Sequence, residues 1–111
     1  MRASTVLAAA AALMLGTFAS GAARADAIDG DWCASKSRRQ LNIQGPIIIT
    51  PAGERVNGTY DRHAFNYMAP TGEIEAGRRV FMRLINEQTM LFLADGDPAP
   101  EEWNRCAKPI A

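Results

Sequence analysis

The sequence predicts an all-β domain, a small antiparallel meander closing into a barrel or sandwich of six or seven strands. Three observations carry this. Beyond residue 29 the chain is a succession of short runs rich in β-branched and aromatic residues, punctuated by Gly, Pro, Asn and Asp. Apolar residues within the runs recur with a period of two and not with helical spacing. The connections are turn-length, too short for the crossover helices that parallel strands require.

Residues 30–34 make the first run. In the second, Leu41 and Ile43 alternate with Asn42 and Gln44 before Gly45-Pro46 stops it. Residues 47–50 are continuously β-branched, which predicts a strand covered on both faces. Pro51-Ala52-Gly53-Glu54 is a turn sequence, with Pro setting φ and Gly free to take a positive one. Residues 55–62 resume as a strand. Asn57-Gly58 has hairpin chemistry, but a turn there would leave residues 51–56 without a role, so Gly58 is expected as a bulge inside the strand.

Residues 64–68 form the next strand, ended by Pro70-Thr71-Gly72-Glu73. The clearest alternation spans 78–86: Val80, Met82 and Leu84 face one way, and Arg79, Phe81, Arg83 and Ile85 the other. Glu87-Gln88 turns the chain into residues 89–94, with Met90 and Phe92 on one face and Leu91 and Leu93 on the opposite one. The Asp, Gly and Pro residues of 95–100 break the sheet. Residues 101–105 then fit either one helical turn or a closing strand carrying Trp103.

Residues 1–25 have the build of a secretory signal: Arg2 gives the positive start, 3–19 an apolar run, and Ala23-Arg24-Ala25 a small-x-small cleavage pattern. The run is short and interrupted for a membrane span, and the first cysteine, Cys33, is badly placed for a lipid anchor. The expected mature chain, 26–111, is therefore one small β domain in the periplasm or outside the cell. It keeps ten of the twelve basic side chains and all twelve acidic ones, a net charge of −2. That balance gives no electrostatic reason to bind nucleic acid or an anionic membrane.

A domain of this size buries only about 60 to 65 per cent of its unfolded surface and wants a staple. Its two cysteines, Cys33 and Cys106, supply one in an oxidising compartment. Closing about 70 residues, the bridge contributes roughly 4 kcal/mol in the chain-entropy model, comparable with the net stability of a small domain.

Ile28-Asp29-Gly30-Asp31-Trp32 resembles the Gly-x-Trp opening of the first strand in the lipocalin and avidin superfamily, and Val56-Asn57-Gly58-Thr59-Tyr60 is similar to its Gly-Thr-Tyr hairpin strand. The resemblance covers about ten residues and implies an up-and-down barrel with a tryptophan closing one end. The export signal and disulfide also make the chain similar to small periplasmic barrels that inhibit proteases or lysozyme, and, taken whole, to small exported bacterial proteins. A barrel this small is filled by its own side chains, which directs attention to surface and rim.

The densest cluster of reactive side chains is Tyr60, Arg62, His63 and Tyr67. Tyr and Arg are the usual anchors of interfaces, so these four are the candidate binding residues; the alternative is a pair of cross-strand tyrosines stabilising the sheet. No catalytic set emerges. His63 is the sole histidine, too few ligands for a metal site, and Ser35 and Ser37 lack a nucleophile-elbow context. Glu73 and Glu75 are expected to keep a Gly-flanked loop soluble. Arg78, Arg79 and Arg83 are expected on the wet face of an edge strand, and Trp32 and Trp103 against the disulfide. No cofactor is implied. The expected role is a non-catalytic binding module that inhibits a hydrolase or captures a protein partner, the alternative being an envelope protein acting by self-assembly.

Overall fold

The computed structural model describes residues 27–107; the expected leader lies outside them. Nine antiparallel strands follow in chain order: β1 Gly30–Ala34, β2 Gln40–Gln44, β3 Ile47–Ile49, β4 Arg55–Asn57, β5 Thr59–Asp61, β6 Ala64–Met68, β7 Arg79–Asn86, β8 Thr89–Ala94 and β9 Glu101–Arg105. Their order across the sheet is β4-β3-β2-β1-β9-β8-β7-β6-β5. The two outermost strands, β4 and β5, are separated by Gly58 alone, so the sheet curls until its edges meet in a nearly closed barrel.

The count exceeds the expected six or seven because residues 55–61 change partners. Val56 pairs with Ile48 on β3, and Tyr60 pairs with Phe65 on β6. Between them the Gly58 amide donates to the Pro46 carbonyl at 2.8 Å. A Cβ on Gly58 would lie 2.5 Å from both the Asn66 carbonyl oxygen and the Phe65 ring. The bend therefore needs a residue without a side chain, and the neighbouring aromatic covers the gap. Asn57-Gly58 is no hairpin turn. Residues 101–105 take the strand alternative, pairing with β8 on one side and β1 on the other.

Alternation fills the interior. Trp32, Leu41, Ile43, Ile48, Phe65, Tyr67, Val80, Met90 and Trp103 are all essentially without solvent contact. Phe92 and Trp103 stack with ring centres 4.8 Å apart. Three expectations need correction on this account. In the isoleucine run only Ile48 is buried, while Ile47 and Ile49 are half-buried on the outer wall, because a barrel has one dry face. Arg78, Arg79 and Arg83 do not mark an edge, since β7 lies between β6 and β8; Arg78 pairs with Asp97, and Arg79 donates to Asn66 Oδ1. The tryptophans are fully buried in the core, whereas Cys33 and Cys106 are half-buried, Cys33 following Trp32 on the opposite face of β1.

The Cys33–Cys106 disulfide spans Cα atoms 5.1 Å apart. It ties β1 to the residue after β9 on the outer surface, across the strand pair in which Trp32 opposes Arg105. Such a bridge fits an oxidising compartment.

Candidate functional site

The up-and-down path gives the barrel two ends of different character. At the floor, where β1 begins, residues 27–29 run beneath the strands, and the Ile28 amide donates to the Arg62 carbonyl. Trp32 Nε1 donates to the Ile28 carbonyl at 2.8 Å. Arg105 donates from Nη1 to the Asp29 carbonyl, from Nη2 to that of Ala27 and from Nε to that of Glu87, with its guanidinium 4.2 Å from the Trp32 ring centre. Gly30 makes room for it: its φ is 122°, and a Cβ there would lie 2.8 Å from Arg105 Nη1. This end is sealed.

The opposite end carries the β1–β2, β3–β4, β6–β7 and β8–β9 loops. Longest is the β6–β7 loop, residues 69–78, which folds inward. Glu73 and Glu75 are 6% and 5% exposed, whereas Ile74 between them is 76% exposed. The expectation that these carboxylates only solvate a loop is overturned. Glu73 Oε2 accepts from the Thr50 hydroxyl and, at 3.2 Å, from the Ala52 amide. Glu75 takes both arms of Arg39, Nη1 on Oε2 and Nη2 on Oε1, each at 2.8 Å. That hydrogen bond raises the Arg39 pKa above its ordinary value. The Arg39 guanidinium also lies 5.7 Å from the ring centres of both Phe92 and Trp103.

No family model matches the chain, and no curated protein or solved structure matches it significantly.

Of the four residues singled out in the sequence, Tyr60, Arg62 and His63 lie toward the floor, whereas Tyr67 stands apart from them in the core. Tyr60 is half-buried on β5, its hydroxyl donating to Asp29 Oδ1 at 2.5 Å, and that bond raises its pKa. Arg62 and His63 are exposed in the β5–β6 turn at the floor. Tyr67 lies inside the barrel with Phe65, because residues 65 and 67 share a strand face. Its hydroxyl pKa is pushed up first by burial and then by the charges of Glu73 and Glu75. Tyr67 Oη and Glu73 Oε1 are buried and make no hydrogen bond among the described residues. Among the described residues, no three His, Cys, Asp or Glu side chains stand where they would hold a metal ion.

Sequence reading missed the mouth cluster of Arg39, Thr50, Glu73 and Glu75. The available signal was the alternation Glu73-Ile74-Glu75, which puts both acids on one side of the loop and the apolar residue on the other.

Proposed function

We propose that the protein is a non-catalytic binding module of the periplasm or extracellular space, holding a protein partner through its β6–β7 loop with Ile74 as the anchor. One observation carries the reading: an apolar side chain 76% exposed stands between two carboxylates that are each buried and bonded to other loops. Apolar residues on surface loops are ordinary; this one is fixed on both sides before any partner arrives. A pre-organised anchor spends little ordering entropy on binding, and a convex rigid loop suits a concave cleft such as a hydrolase active site. The signal-like residues 1–25 and the disulfide support a site of action outside the cytoplasm. The strand order also agrees with the up-and-down barrels suggested by Gly30-Asp31-Trp32.

Affinity capture with the exported protein, followed by inhibition assays on any hydrolase recovered, tests the proposal. Ile74→Ala is expected to weaken binding by about tenfold or more without changing Tm. Equal binding by Ile74→Ala and wild type sinks the loop reading. Loss of binding in an Arg62→Ala, His63→Ala double variant instead moves the interface to the floor.

A further inference from the structure

A second apolar feature lies on the outer wall. Phe81 of β7 and Leu91 and Leu93 of β8 point outward, with Phe81 45% exposed, and together with Ala64 and Pro100 they line a shallow concavity. Strand register arranges charge around it. Arg83 stands opposite Leu91, and Leu91 opposite Glu102, so this row runs basic, apolar, acidic from β7 through β8 to β9. In the adjoining row Phe81 is opposite Leu93. Arg83 and Glu102 are both exposed, and neither forms an ion pair among the described residues.

We propose that this face docks a second copy of the chain, forming a symmetric dimer whose two-fold axis lies in the interface along β8. Rotation about such an axis exchanges the two flanks of β8. Arg83 of each copy then lies against Glu102 of the other, while Leu91 and Leu93 meet their own counterparts. An isologous interface demands this self-complementarity. A partner carrying one sign of charge would be repelled by one flank of the row, whereas a second copy satisfies both. An apolar centre with a charged rim is also the usual anatomy of such contacts. The face is separate from Ile74, so dimerisation stands or falls independently of the loop reading.

Sedimentation velocity on protein expressed from the full sequence in an exporting, oxidising host tests this at low salt up to near-millimolar concentration. A monomer–dimer equilibrium is expected. Arg83→Glu and Glu102→Arg should each weaken the dimer by about tenfold or more, because each change places two like-charge pairs in the symmetric interface. Combining them should restore it, and Tm should not change in either single variant. A monomer at every concentration overturns the proposal, as do single variants that dimerise like wild type or a combined variant that fails to recover.

Discussion

The Arg105 guanidinium stands 4.2 Å from the centre of the Trp32 ring and donates three hydrogen bonds to main-chain carbonyls. One side chain thus joins the last strand to the first, to residues 27–29 and to the β7–β8 turn. Arg105→Ala should destabilise by about 3 kcal/mol, from carbonyls losing their donor and a lost cation–π contact. Arg105→Lys should recover only part, since an ammonium lacks the planar fork. Urea unfolding measures both, and an alanine variant as stable as wild type would deny the side chain this role.

At the other end, the Arg39–Glu75 pair is nearly dry, with side chains 19% and 6% exposed. Arg39→Ala leaves a buried carboxylate unpaired and should cost about 3 kcal/mol. Replacing both partners, Arg39→Met with Glu75→Leu, should cost clearly less than the two single changes together. The alanine variant should also be cut faster by protease within residues 70–77. A cycle with no coupling energy would mean the pair does not fix the loop.

Tyr67 makes the alkaline limb of the stability profile informative. Its pKa is raised in the folded state by burial, so its contribution is fully present below the unfolded tyrosine value of about 10. It is lost as pH rises from there toward the folded value, with a slope of at most about 1.4 kcal/mol per pH unit. Tyr67→Phe should reduce that slope, leaving the part due to Tyr60, whose pKa is also raised. At neutral pH the same change removes a buried hydroxyl without a partner, and stability should hold or rise by up to about 1 kcal/mol. Marked destabilisation at pH 7 would mean that the hydroxyl is bonded in solution.

Most strands were legible because their information is local. Val80, Met82, Met90 and Phe92 declare an inner face by alternation, and Asp, Gly and Pro residues punctuate the turns. The burial of the loop acids was not legible, because Arg39 lies 36 residues before Glu75 and Thr50 lies 23 before Glu73. The role of Gly58 was half legible: its type argued for an irregularity, but the reason for it, the Phe65 ring against its α-carbon, exists only after β5 and β6 pair. Tyr67 parts from Tyr60, Arg62 and His63 for a reason present in the sequence all along. Residues 65 and 67 must share a face, and Phe65 and Tyr67 together belong inside.

Joining Cys33 to Cys106 makes the intervening chain a covalent circle, so one peptide-bond cut in any loop from β1–β2 to β8–β9 opens the circle without releasing a fragment. A protease that cuts once at an exposed loop therefore leaves the two pieces covalently joined. Only entry into a reducing environment would let the pieces separate.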